Sequence, residues 1–214
     1  MIGSWKLVGG SRLAGVIFFM KTSRVSLWIA GGLSLAVAAG FVVTSRAGYE
    51  TARYEVVEKD GDFEIRRYEA HVVVSTSMKD GAQNGSFGKL FQYISGKNAG
   101  EQKIEMTTPV FMPATDDGEP GEMQFVVPAD VAEAGAPAPS DESVKLSRME
   151  AGKVAVIRYN GVAKAEDRKK QLEILRAKIA ELGLKAEGHP IHAGYDPPWT
   201  PGPMRRNEVM LRVK

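Results

Sequence analysis

The chain contains no cysteine in its 214 residues. That excludes disulfide frameworks, thiolate zinc sites, iron–sulfur clusters, thiol nucleophiles and cofactors attached through thioether bonds. It leaves the compartment open, since exported proteins also lack disulfides. Enzyme signatures are missing too: there is no GxSxG, HExxH, phosphate loop or GxGxxG. No motif pairs the carboxylates for general acid–base work, so binding rather than catalysis is the expectation. Acidic residues are absent from the first 47 positions, which hold five of the 28 basic residues and none of the 26 acidic ones. The remaining body therefore carries 23 basic against 26 acidic groups. A mildly acidic body lacks the basic footprint that nucleic-acid binding needs. The 43% hydrophobic and 25% charged residues make an ordinary globular balance.

Val25–Ser45 is a run of 21 uncharged residues between Arg24 and Arg46. As a helix it would extend about 31 Å, enough to cross the hydrocarbon core of a bilayer. Lys21 and Arg24 precede it, as in a signal peptide or a positive-inside anchor. Ser45-Arg46-Ala47 offers small residues for cleavage just before Gly48. Residues 1–47 thus read as an N-terminal hydrophobic helix, a cleaved signal or a retained membrane anchor, with the true start at Met1 or at Met20. Either version places residues 48–214 outside the cytoplasm, anchored to the membrane or exported to the periplasm.

In residues 48–214, Arg53–Lys59 and Phe63–Tyr68 read as strands around an Asp60-Gly61 turn. Ala70–Ser77 continues the sheet. Phe87, Leu90, Phe91 and Ile94 recur at helical spacing, with Gly96 as the stop. Ile104–Met112 and Glu122–Val127 read as strands, and the Pro- and Ala-rich stretch 128–143 as a surface loop. Strands follow at Val144–Met149 and Lys153–Tyr159, a helix near Ala165–Leu182, and strands near Ile191 and Glu208–Val213. Strand–strand–helix–strand–strand therefore occurs twice. The expected fold is α+β: an antiparallel sheet from two similar halves with two helices packed on it.

The stretches YEVVEKDGDFEIRRY, FGKLFQYISGKNAGEQKIEMTTPV, PAPSDESVK and AGYDPPWTPGPMRRNEV resemble the SOUL haem-binding protein family, in order and at matching spacing over residues 49–213. The resemblance implies a distorted antiparallel β-barrel carrying two helices. It also implies reversible, non-covalent binding of haem or a related tetrapyrrole, often without a defined axial ligand. Its members are described as binding or carrier proteins.

Haem is a flat apolar disc with two propionates, so a site needs exposed apolar surface and cations, with an iron ligand optional. In the family the first helix borders the haem surface, which nominates Phe87, Leu90, Phe91 and Ile94, with Lys89 as the cation on that helix. A stripe of this spacing is ordinarily core, so partial exposure is expected mainly of Phe87 and Phe91. The loop Tyr195–Pro203 is stiffened by four prolines and could present Tyr195 and Trp199 as a second wall. Arg205 and Arg206 follow, placed to meet propionates or to pair with Glu208. His71, His189 and His192 are the histidines, with His71 and His192 the weak candidates for iron. Some relatives carry histidine where Arg67 stands, a ligand this chain lacks. Two function classes stay open: a haem or tetrapyrrole carrier, and an effector-binding or interaction domain that takes another planar ligand or a protein partner.

Overall fold

The structure, a computed structural model, describes residues 48–78, 83–116 and 118–214, without the side chains of Gln83 and Asn84. The expected N-terminal hydrophobic helix lies outside the described residues. Among those described, no helix is long and apolar enough to cross a membrane.

Alternating apolar residues and a tight turn start the sheet. β2 (Tyr54–Asp60) and β3 (Phe63–Tyr68) form a hairpin closed by Gly61 and Asp62, in which Gly61 takes φ +59° at no steric cost. β4 (His71–Ser77) precedes α1 (Gln83–Ile94). β1 (Glu50–Thr51) and β5 (Thr107–Thr108) form a small parallel pair of their own. β5 is separated from β6 (Val110–Pro113) by Pro109, which has no N–H to give a ladder. The expected strand 104–112 is therefore two short ones. After β7 (Glu122–Val126) the chain enters α2 (Ala129–Ala134), where sequence reading expects only loop. Its ADVAEA sequence is rich in the best helix former and has Asp130 in the first turn. β8 (Val144–Met149), β9 (Gly152–Asn160), α3 (Ala165–Glu181), β10 (Ala186–Gly194) and β11 (Arg206–Val213) complete the chain.

The nine-stranded antiparallel sheet runs β2-β3-β9-β11-β10-β6-β7-β4-β8. From β3 to β8 this order is a palindrome of the two repeats: their third strands meet at the centre, and each repeat lends its first strand to the other. The expected duplication is present, with that exchange added. The expected closed barrel is not. β2 and β8 end the sheet without pairing to each other. β2 exposes Glu55, Glu58, Lys59 and Asp60 and carries a register shift, and β8 exposes Lys145 and Arg148. Charged, bulged edges resist further pairing.

Side chains on one face of the sheet form a single cluster that includes Tyr68, Val73, Phe111, Val154, Val156 and Met210. Residues from both ends of the strand order meet there, so the sheet curls around this inner face. The outer face carries the helices. α3 lays Leu175 and Ile179 on Phe63, Ile65, Val209 and Leu211. α1 lays Leu90, Tyr93 and Ile94 on Val74, Met123, Phe125 and Val144.

The inner face is also charged. Arg66 of β3 is 1% exposed and Glu208 of β11 is 0% exposed, and they meet across β9. Arg66 Nη1 and Nη2 donate to the two carboxylate oxygens of Glu208 at 2.7 and 2.9 Å, while its Nε donates to Glu64 at 2.7 Å. Arg206 Nε and the Tyr195 hydroxyl donate to the same carboxylate at 3.0 and 2.8 Å. Burial pushes the Glu208 carboxyl up, but its hydrogen bonds and the charges of Arg66 and Arg206 hold it below the usual range. Burial raises the Tyr68 phenol to about 12.

Truncating one member of a buried pair leaves a charge without compensation, so Glu208→Gln should cost about 3–5 kcal/mol. The exposed Arg67–Glu55 pair is as short, at 2.6 Å. Glu55→Gln should nevertheless cost less than about 1 kcal/mol, because water screens it. Urea unfolding of both variants measures the contrast, and equal losses would contradict it. A second prediction concerns pH. His192 on β10 is 3% exposed, and its Nε2–H donates to the Gly118 carbonyl at 3.1 Å. Burial holds this imidazole below its usual value, as it does the half-buried His71. Below about pH 6.5 the unfolded chain binds protons that the folded chain refuses, so stability should fall from pH 7 toward pH 5. The slope is at most about 1.4 kcal/mol per pH unit for each imidazole. His192→Gln keeps the donor to Gly118 and should flatten the slope of thermal midpoint against pH.

Candidate functional site

The apolar stripe of α1 is split by its own geometry. Residues 87 and 91 lie one turn apart on one flank of the helix, whereas 90, 93 and 94 point down onto the sheet. Leu90 is 0% exposed and Ile94 6%. Phe91 is 50% exposed and stacks on Phe87, with ring centroids 6.0 Å apart and planes 16° from parallel. Phe87 is half-buried and meets Phe125 edge-on at 5.2 Å, which fixes the pair to the sheet. Lys89 is exposed on the same helix. Two parallel aromatic rings, one of them wet, can cover one side of a planar apolar ligand.

On the other side of α1, between the helix and residues 139–144, lies a cavity of about 240 Å³, lined by Lys89, Gln92, Tyr93, Lys97 and Asp141 among others. Small-molecule pockets usually span roughly 300–1,000 Å³. A ligand the size of a tetrapyrrole therefore has an open face here, not a chamber.

The loop Tyr195–Pro203 does not act as one wall. Tyr195 is buried, and its hydroxyl serves Glu208. Trp199 is 80% exposed. The two rings the sequence pairs are thus separated into core and surface. Arg205 is turned onto the loop, where Nε donates to the Thr200 carbonyl at 2.8 Å and Nη2 donates to the Pro198 carbonyl. Arg206 stacks over the Tyr195 ring at 4.0 Å and pairs with Glu208. Of the two roles open to Arg206 in the sequence, the ion pair is the one formed. α1 packs on β4 and β7, whereas the 3₁₀ turn Gly202–Met204 in this loop packs on β9.

No group of three histidine or carboxylate side chains suited to a metal occurs among the described residues. His71 alternates with Val74, which α1 covers, and shares the inner face with Val73. Its Nε2–H donates to the Arg53 carbonyl at 3.2 Å, and its ring stands 6.4 Å from Tyr68. His192 is buried, and exposed His189 pairs with Asp116 at 3.3 Å. Arg67, at the position where some relatives carry histidine, is exposed and paired with Glu55. The aromatic face of α1 suits the apolar part of a haem, while Lys89, two residues from each phenylalanine, lies on the other side of the helix. The surroundings of this face assign no protein ligand to the iron.

Sequence reading missed a larger cleft at the shared end of β2, β3 and β9, with a volume of about 580 Å³. The available signal was the cross-strand row that the hairpin register creates, Tyr54 opposite Tyr68 and Tyr68 opposite Gly152.

The family model described as SOUL heme-binding protein matches residues 49–212. Heme-binding protein 1 of Mus musculus is 33% identical over 176 residues, covering 79% of this chain and 88% of that protein. Heme-binding protein 2 of Homo sapiens is 32% identical over 168 residues, covering 72% of this chain and 79% of its own. Two solved structures share the fold. One is a cryo-EM structure of an EcmrR–DNA complex, with TM-score 0.55, 9% identity and coverage of 89% of this chain and 69% of that one. The other is an uncharacterized conserved protein from Listeria innocua, with TM-score 0.54, 11% identity and coverage of 72% and 92%. At such identities the likeness concerns fold alone. The match over nearly the whole described domain, joined to a third of its residues shared with the mouse protein, makes this chain a member of the SOUL heme-binding protein family.

Proposed function

We propose that the domain binds haem or a related tetrapyrrole reversibly, without a covalent bond, on the open face of α1. The observation that carries this reading is the stacked Phe87–Phe91 pair, with Phe91 half in water on a helix that has only one charged side chain. Family membership supports the ligand class. The absence of cysteine from the sequence is consistent with a non-covalent site. When bound, haem would bring an iron centre open to outside ligands. The residues of this chain supply apolar contact through Phe87 and Phe91. Such a face exchanges its ligand readily, because it buries one side of the disc and leaves the other wet. That suits a carrier or buffer. The Val25–Ser45 segment would hold this carrier at a membrane or direct its export, so that it works outside the cytoplasm.

Haemin titration of the protein, followed at the Soret band, tests the reading. Saturable one-to-one binding is expected. Phe91→Ala should weaken it about tenfold, the effect of losing roughly 1.4 kcal/mol of apolar contact. Phe91 is half exposed, so this change leaves the core under α1 intact. Weak, unsaturable binding that is the same in both proteins would favour the other class, a domain for a different planar ligand or a protein partner.

A further inference from the structure

The cleft at the end of β2, β3 and β9 is independent of the α1 face. Its volume, about 580 Å³, lies within the usual range for small-molecule sites. Its floor is the cross-strand row Tyr54–Tyr68–Gly152. The tyrosine rings are 5.0 Å apart and tilted by 40°. The buried network fixes both. The Arg66 guanidinium lies 4.4 Å from the centre of the Tyr54 ring, and Arg66 Nη1 donates to the Tyr68 hydroxyl at 3.3 Å. At Gly152 a Cβ would fall 2.8 Å from Arg212 Nη1, so the Arg212 guanidinium, which donates to the Glu150 and Ala151 carbonyls, lies over this glycine.

The rim is charged. Arg67 is engaged by Glu55, whereas Arg53 and Lys153 have no ion pair among the described residues. Glu69 is the opposing charge. Arg53 and Lys153 alternate with the inner-face Tyr54 and Gly152, so two available cations against one carboxylate leave an excess of positive charge at the strand ends beside the tyrosines. A tyrosine floor favours an aromatic or other planar apolar body, and the rim favours an acid group on it. A free phosphate finds neither a helix N-terminus nor a nest of backbone N–H groups among the lining residues.

We propose that this cleft is a second binding site, separate from the α1 face, for a small aromatic anion. Its ring system rests against Tyr54, and its carboxylate or sulfonate lies between Arg53 and Lys153. The cations sit at the surface, so binding weakens with salt as their attraction is screened over a Debye length of about 8 Å at physiological ionic strength.

The test is a fluorescence titration of the full chain with 1-anilinonaphthalene-8-sulfonate, repeated with the neutral N-phenyl-1-naphthylamine. Saturable one-to-one binding of the sulfonate is expected, and it should be at least about tenfold tighter than that of the neutral analogue, or roughly 1.4 kcal/mol. Arg53→Glu/Lys153→Glu should weaken sulfonate binding at least tenfold, Arg53→Gln/Lys153→Gln less, and Phe91→Ala not at all. Both substituted side chains of the cleft variants, Arg53 and Lys153, are exposed, and urea midpoints equal to that of the parent confirm an unchanged fold. The proposal is overturned if sulfonate binding survives both cleft double variants, if Phe91→Ala abolishes it, if the neutral analogue binds as tightly, or if no saturable binding occurs.

Discussion

The Glu208 carboxylate is the point on which the inner half of this fold depends. It lies on β11, fourth of nine strands, and gathers Arg66 from two strands away, Arg206 from its own strand and Tyr195 from the loop before it. Desolvating that many charges offsets much of their attraction, so the network is weak evidence for high stability. Its stronger effect is on register. A one-residue slip of β3 would turn Arg66 onto the outer face, among Leu175, Ile179 and Leu211. No carboxylate belongs to that cluster. The hairpin register then fixes Tyr54 opposite Tyr68, and the same guanidinium holds both rings.

The network also decides where ligands can sit. Arg66, Glu208, Phe111 and Met210 fill the inner face at 2% exposure or less. A curled sheet with such an interior offers its outer face and its strand ends for binding. The outer face beneath α3 is closed by aliphatic packing. What is left is the free side of α1 and the open end of β2, β3 and β9. Under the two proposals the α1 face would act by apolar contact, which salt leaves nearly untouched, and the cleft by surface charge beside aromatic rings.

Much of this was legible in the sequence. The helix beneath Phe87, Leu90, Phe91 and Ile94, the Gly61 turn and the duplicated element order all follow from local periodicity, and the fold family follows from four motifs in series. What was not legible depends on distant pairing. FEIRRY reads as a strand, but its local sequence does not show that it lies between β2 and β9 and is buried on both sides apart from Arg67. Arg66 therefore had to find Glu208, 142 positions away. The exchange of first strands between repeats, and the failure of β2 and β8 to meet, leave no local trace either. On the site, periodicity selects the apolar stripe of α1 but cannot say that Leu90 goes under the helix and Phe91 stays outside it. The pairing of Tyr195 with Trp199 failed for a similar reason, since Glu208 draws one ring inward.

The palindromic sheet places α1 and α3 in equivalent positions, each on the second and fourth strands of its set. Equivalent backbones with equivalent sheet contacts would be expected to carry similar outer faces if stability alone shaped them. They do not. α3 has nine charged residues in seventeen, the pattern of a solvated helix, and α1 has one in twelve. α1 also forgoes the charge complement at its ends, with no acid in its first turn and no base in its last. Packing beneath the helix is already supplied by Leu90, Tyr93 and Ile94, so the wet Phe91 adds little to it. In a scaffold built of two like halves, the half that gives up solubility and end charge to keep an aromatic face in water is the half whose surface the proposed function uses.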